Sequence, residues 1–130
     1  MLKIKKNIAL LGSTGSIGTQ VLEIVKNKPD LFKVFLLSAN SNYKLLYKQI
    51  LTFKPKHAVI NSNAGYLFLK KNLSNQNTRI HFGVEDLCSL VQDNDIDLVI
   101  TAIVGSAGLL PTVSAIKSKK NIALANKETL

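Results

Sequence analysis

The sequence predicts an α/β fold: a doubly wound, mostly parallel sheet with helices on both faces. Three observations point there. Strand-like apolar runs alternate with helix-periodic segments from one end of the chain to the other. One run, Ile96-Asp-Leu-Val-Ile-Thr-Ala-Ile-Val104, is almost wholly apolar and β-branched, as a strand covered on both faces must be. A glycine-rich turn, Gly12-Ser-Thr-Gly-Ser-Ile-Gly18, joins the first strand directly to the first helix.

The elements follow in order. Asn7 to Leu11 reads as a strand, and Ser16 to Lys28 as a helix with Ile17, Val21, Leu22, Ile24 and Val25 on its apolar side. Asn27-Lys-Pro-Asp30 ends that helix, because proline cannot continue it. Lys33 to Ser38 is the second strand. Asn42 caps a helix whose buried stripe is Leu45, Leu46, Gln49, Ile50 and Phe53. Lys54-Pro-Lys56 breaks the chain before a short strand, His57 to Ile60. A weaker helix covers Ser62 to Leu73, and a polar loop follows. Arg79 to Phe82 is a strand, Val84 to Gln92 a helix, and Ile96 to Val104 the buried strand. Ala107 to Lys117 is a helix and Asn121 to Ala125 the sixth strand. The start of a further helix at Asn126-Lys-Glu-Thr-Leu130 gives the impression of a truncated polypeptide.

At 130 residues, 46% of them apolar and 19% charged, the chain is one globular domain. No apolar run reaches the roughly 18 residues that cross a bilayer, and the basic start lacks a cleavage site, so no membrane association or signal peptide is expected. The single cysteine, Cys88, excludes an intramolecular disulfide; it reads as a small buried hydrophobe in a cytoplasmic protein. The formal charge is +9, yet Arg79 is the only arginine among 17 basic residues. Scattered lysines and only eight aromatics speak for a solvated basic surface over a nucleic-acid interface, and no nucleic-acid partner is expected. Such a field attracts phosphorylated ligands.

Gly12, Gly15 and Gly18 follow a G-x-x-G-x-x-G spacing between a strand and a helix. Glycine lets the backbone turn sharply and approach a ligand, while free amides at the helix start face a pyrophosphate. Ser13, Thr14 and Ser16 add hydroxyls. A turn serving packing alone is the plainer alternative, and the absence of a following Gly-Lys-Ser/Thr argues against a mononucleotide loop. The second strand ends in Leu37-Ser-Ala-Asn-Ser-Asn42, without the carboxylate that bonds a ribose 2′-hydroxyl in NAD sites. Asn40, Ser41 and Asn42, with Lys44 nearby, can instead meet a 2′-phosphate, which favours NADP. Ala102-Ile-Val-Gly-Ser-Ala-Gly108 would let a flat ring approach the backbone, and a tight strand-to-helix turn explains its glycines equally well. Asn126-Lys-Glu128 is either a helix cap or a lysine and carboxylate placed at a strand end for substrate and cofactor. His57 and His81 stand apart, without ligand spacing, in surface or packing roles. Asp93, Asp95 and Asp97 read as a solvated turn.

Leu11-Gly-Ser-Thr-Gly-Ser-Ile-Gly18, Ala102-Ile-Val-Gly105, Gly108-Leu-Leu-Pro-Thr112 and Leu124-Ala-Asn-Lys-Glu128 resemble, in order and spacing, the 1-deoxy-D-xylulose 5-phosphate reductoisomerase family. The resemblance covers the whole chain and implies its N-terminal NADPH-binding domain, Rossmann-like and spanning residues 1–130, with catalytic and C-terminal domains absent. It implies NADPH as cofactor, a divalent metal (Mg or Mn) in the full-length enzyme, a sugar phosphate substrate, and a homodimer when full-length. The family rearranges and reduces 1-deoxy-D-xylulose 5-phosphate to 2-C-methyl-D-erythritol 4-phosphate in non-mevalonate isoprenoid biosynthesis.

By the same resemblance, Thr14, Gly15, Ser16 and Ile17 hold the pyrophosphate region, and Gly12, Ser13 and Gly18 complete the candidate cofactor loop on the glycine-turn reading. Asn40, Ser41 and Asn42 lie by the 2′-phosphate. Asn126 and Glu128 contact NADPH and Lys127 contacts substrate, while Ala102, Ile103 and Val104 are cofactor candidates on the small-residue reading above. Many members carry a basic residue where this chain has Ser41, which weakens or redistributes that contact. The family's metal-binding carboxylates and lid lie beyond residue 130, so no metal site or catalytic residue is expected here and the piece alone is expected to be inactive. Two competitors remain: the cofactor domain of another NADP-dependent dehydrogenase, and a basic nucleic-acid-binding module.

Overall fold

In the computed structural model, residues 5–103 and 108–124 are described. Six strands and five helices alternate as the apolar periodicity requires. They are β1 (Lys6–Leu11), α1 (Ser16–Lys26), β2 (Phe32–Ala39), α2 (Tyr43–Phe53), β3 (His57–Ile60), α3 (Asn63–Asn72), β4 (Arg79–Phe82), α4 (Gly83–Leu90), β5 (Leu98–Thr101), α5 (Leu109–Lys117) and β6 (Asn121–Leu124). The sheet order is β4-β3-β2-β1-β5-β6 and every adjacent pair is parallel. The predicted doubly wound α/β sheet is therefore the observed one.

Right-handed crossovers dictate where the helices go. The chain steps outward from β1 to β4, then returns to the far side of β1 as β5. Leu22 and Val25 of α1, Leu46 and Ile50 of α2, and Leu69 of α3 pack with Ile8, Leu10, Val34 and Leu37 on one face. Leu87 of α4, Val91 and Ala115 of α5 pack with Ala9, Leu11, Phe35 and Val99 on the other. The reversal between β1 and β5 is a switch point, where the loops after the two strands diverge and leave a crevice at their carboxyl ends. Among the described residues, no helix is long and apolar enough to cross a membrane.

Several local expectations change. Helix α1 buries Gly18, Leu22 and Val25, whereas Ile17 and Ile24 are 41% and 57% exposed. The 18-22-25 stripe follows the helical period, and Ile17 and Ile24 lie one residue off it. Strand β5 is four residues long: Ile96 is buried in the preceding turn, and past Thr101 the Ala102 amide still donates to the Leu11 carbonyl at 2.8 Å. Cys88 is half-buried rather than a core residue. It sits beside Leu87, which alone among the residues of α4 is buried.

Candidate functional site

The loop after β1 is shaped by its three glycines, each for a different reason. Gly12 has φ +84°, and a Cβ there would come within 2.9 Å of the Ala102 carbonyl, so the turn passes directly over the end of β5. Gly18 lies in the first turn of α1, where a Cβ would stand 2.0 Å from the Gly12 carbonyl oxygen. Gly15 has open space on its Cβ side, with the Gly12 oxygen at 4.0 Å the closest atom. The first glycine makes the turn, the third seats the helix on it, and the second leaves the backbone open for close approach.

Two further contacts hold the loop. The Gly12 and Ser13 amides both donate to the Ser38 carbonyl at 3.0 and 2.8 Å, and the Gly12 amide also reaches the Ser38 hydroxyl at 3.2 Å. Ser13 is fully buried; its hydroxyl donates to Gln49 Oε1 at 2.7 Å, and Gln49 Nε2 donates to the Ser13 carbonyl at 2.9 Å. The hydroxyl of Ser13 thus faces the protein interior and not a ligand, a correction forced by the Gln49 pairing. No side chain caps α1 at Gly15, and its first turn carries no acidic residue. The amides of Ser16, Ile17 and Gly18 precede the first intrahelical bond, from Thr19 to Gly15, and form an open electropositive helix start.

A cleft of about 310 Å³ opens in front of this loop. Of the predicted residues, Gly12, Thr14, Gly15, Asn40, Ala102 and Ile103 line it. Ser16 and Ile17 are exposed at its rim, Gly18 is buried behind it, and Ser41 and Asn42 lie on the exposed continuation of β2. The Asn42 side chain accepts from the Leu45 amide at 3.2 Å, so this residue caps α2. Val104, Asn126, Lys127 and Glu128 lie outside the described residues. The lining also includes Ser38, Ala39, Val59, Asn61, Gly83, Val84 and Leu87, none of which the sequence singled out. Asn61 donates from Nδ2 to Asn40 Oδ1 at 3.3 Å, placing two amide side chains together at the β2 end of the cleft. Gly83, at φ +90° with nothing near its Cβ, follows β4 as Gly12 follows β1; that strand-glycine-helix repeat was the available signal. Among the described residues, none that lines the cleft carries a charge.

The remaining titratable groups lie elsewhere. His57 and His81 are not apart: Nδ1 of one is 2.9 Å from Nε2 of the other, because β3 and β4 are adjacent and Val59 pairs with His81. Asp93 Oδ1 accepts from the Asp95 amide and Asp97 Oδ2 from the Asn7 amide, both at 2.8 Å, so Asp93 closes the turn before β5 and Asp97 fastens it to the start of β1. Among the described residues, no three His, Cys, Asp or Glu side chains come together to hold a metal ion.

A parallel sheet that reverses beside β1, with a glycine loop and an uncapped helix start over the reversal, defines the Rossmann-like class of α/β domain. The chain belongs to the 1-deoxy-D-xylulose 5-phosphate reductoisomerase family, whose model matches residues 8–130. A curated member from Porphyromonas gingivalis is 50% identical over 127 residues, 98% of this chain and 33% of that protein. The enzyme from Zymomonas mobilis, solved in complex with NADPH, superposes with a TM-score of 0.90 at 35% identity, covering 98% of this chain and 33% of the other. A reductoisomerase solved with NADPH, fosmidomycin and magnesium gives a TM-score of 0.90 at 34% identity, covering 96% and 31%. The chain thus spans about a third of the length of the curated relatives it matches.

Proposed function

We propose that residues 1–130 form the NADPH-binding domain of a 1-deoxy-D-xylulose 5-phosphate reductoisomerase. The observation that carries this reading is the cleft itself. Gly15 offers backbone without a side chain, α1 offers uncapped amides, and among the described residues no carboxylate lines the wall where a 2′-phosphate would lie. A dinucleotide fits that arrangement of donors and small residues. The family relatives solved with NADPH supply its identity.

The chain's own residues then divide the work. Thr14 and Gly15, with the first amides of α1 at Ser16, Ile17 and Gly18, hold the pyrophosphate, and Ser13 braces the loop from behind. Asn40 meets the 2′-phosphate with Asn61 beside it, and Ser41 and Asn42 extend that donor surface. Ala102 and Ile103, continued by Val104, Asn126 and Glu128, flank the nicotinamide, while Lys127 contacts the substrate. NADPH, when bound, supplies the hydride. The protein's contribution in this part is orientation, fixing one end of the reaction coordinate against a catalytic domain.

The full-length enzyme of this proposal rearranges and reduces 1-deoxy-D-xylulose 5-phosphate to 2-C-methyl-D-erythritol 4-phosphate. It uses a divalent metal held outside the described residues, acts as a homodimer, and works in the cytoplasm. This chain alone is inactive. Calorimetric titration with NADPH and NADH tests the reading. Saturable binding with a clear preference for NADPH is expected. Equal affinity for the two, or none for either beside tight salt-sensitive binding to nucleic acid, would refute it.

A further inference from the structure

Strands β2 and β3 end side by side, and their last paired residues are Ala39 and Ile60. The next residue on each, Asn40 and Asn61, lines the cleft. Asn61 is held from both sides. Its backbone amide donates to the Ala39 and Asn40 carbonyls at 3.2 and 3.1 Å. Ser62, directly after it, caps α3 by accepting from the Gly65 amide at 3.1 Å. From that fixed position the Asn61 Nδ2 donates to Asn40 Oδ1 at 3.3 Å.

The direction of that bond matters more than its strength. A primary amide carries an acceptor and a two-proton donor on one planar group, and rotation about the last side-chain bond exchanges them. With its oxygen taken by Asn61, Asn40 keeps both Nδ2 protons without a partner among the described residues. Asn42 shows the same polarity. Its Oδ1 accepts from the Leu45 amide at 3.2 Å, and its Nδ2 has no partner among the described residues. Two amides at the end of β2 thus turn their oxygens to the protein and leave their nitrogens to be met. A cation attracts a phosphate however it is turned, whereas a neutral amide attracts it by the nitrogen and repels it by the oxygen. Among the described residues none that lines the cleft is charged, so the orientation of Asn40 decides whether this wall accepts an anion.

We infer that Asn61 is a positioning residue for cofactor choice: it fixes the Asn40 amide with its nitrogen toward a 2′-phosphate, and so makes an uncharged wall prefer NADPH over NADH. The inference rests on the NADPH reading above and adds to it a residue that acts through Asn40 rather than on the cofactor. Turned the other way, the Asn40 oxygen would face the phosphate, and an attractive contact would become a repulsive one. Removing the Asn61 side chain leaves both orientations open to Asn40.

NADPH and NADH differ only in the 2′-phosphate, so the ratio of their dissociation constants isolates this contact. Calorimetric titration of the full chain should give a ratio that favours NADPH in the wild type. In Asn61→Ala that preference should fall about fivefold, the worth of one neutral hydrogen bond. Asn40→Ala should lower it at least as far, and the double variant no further than Asn40→Ala, because Asn61 then has nothing to orient. Both side chains are exposed, so the variants keep the fold. The Asn40 Nδ2 resonances should shift more with NADPH than with NADH, a difference that Asn61→Ala removes. A wild-type ratio in Asn61→Ala, or losses that multiply in the double variant, overturns the inference and leaves the NADPH reading standing. A wild-type chain without preference for NADPH overturns both.

Discussion

Replacing Gly18 by alanine tests the glycine loop most sharply, because two effects oppose each other there. In an open helix the change would help by about 1 kcal/mol, since alanine is the better helix former. In this helix the new methyl would stand 2.0 Å from the Gly12 oxygen and 2.8 Å from two Ser13 backbone atoms, where an ordinary contact begins at 3.4 Å. The loop and helix would have to part by roughly 1.4 Å, and no rotamer can absorb it because every atom involved is backbone. Overpacking of that kind costs about 3 kcal/mol. The net is a loss of about 2 kcal/mol, which lowers the melting temperature of a chain this size by about 6–10 °C. The displaced amides should also weaken NADPH binding about tenfold or more. Gly15→Ala is the control: its methyl meets nothing nearer than 4.0 Å and the backbone there, at φ −77°, suits alanine. That variant should lose cofactor affinity while changing stability by less than about 1 kcal/mol. Urea unfolding followed by circular dichroism, beside NADPH titration, reads both quantities. A Gly18→Ala protein with wild-type midpoint and affinity would refute the reasoning.

Asn40→Asp puts a carboxylate on the cleft wall, where like charges about 5 Å apart at an effective dielectric near 40 repel by about 1.7 kcal/mol; NADPH affinity should fall more than tenfold with NADH little affected, and an unchanged ratio in the two titrations would remove Asn40 from the 2′-phosphate. Gln49→Leu strands the buried Ser13 hydroxyl and carbonyl, so unfolding should show a loss of about 2–4 kcal/mol, with part recovered in the Ser13→Ala, Gln49→Leu double variant; a loss under about 0.5 kcal/mol would mean the pair is idle. The lowered pKa values of His57 and His81 mean the unfolded chain, titrating near 6.5, binds more protons than the folded one just below that pH. Stability is therefore complete above the unfolded value and should fall as pH drops through it toward the folded values; urea midpoints that stay level, or that fall equally in His57→Phe, would contradict this.

The sheet was legible because its signals are local. Alternating periods, proline breaks and the β-branched run at 96–104 each arise within one segment, and their sum leaves a parallel sheet as the one economical arrangement. The misreadings are the properties that depend on neighbours. Ile24 reads as core in a window of its own helix, yet only the tilt of α1 over β1 and β2 decides which stripe faces inward. His57 and His81 are 24 residues apart in sequence, and the order of β3 and β4 alone brings them to 2.9 Å. The glycine loop was readable as a sharp strand-to-helix turn, since glycine at such a turn has a backbone reason visible in sequence. Asn61, Gly83 and Val84 were not, because they come from the ends of strands that join the cleft only after the sheet has formed.

Ser13 explains why this loop spaces its first two glycines by two residues instead of the one in G-x-G-x-x-G. The additional position turns inward and fastens to Gln49, in the middle of α2. The same helix begins at Asn42, immediately after the strand end that carries Asn40. The two ends of the proposed dinucleotide site are therefore joined by one buried pair and two turns of helix, and neither can shift without straining the other. An enzyme that transfers hydride gains from that coupling, because orientation at the nicotinamide is inherited from how firmly the rest of the cofactor is held.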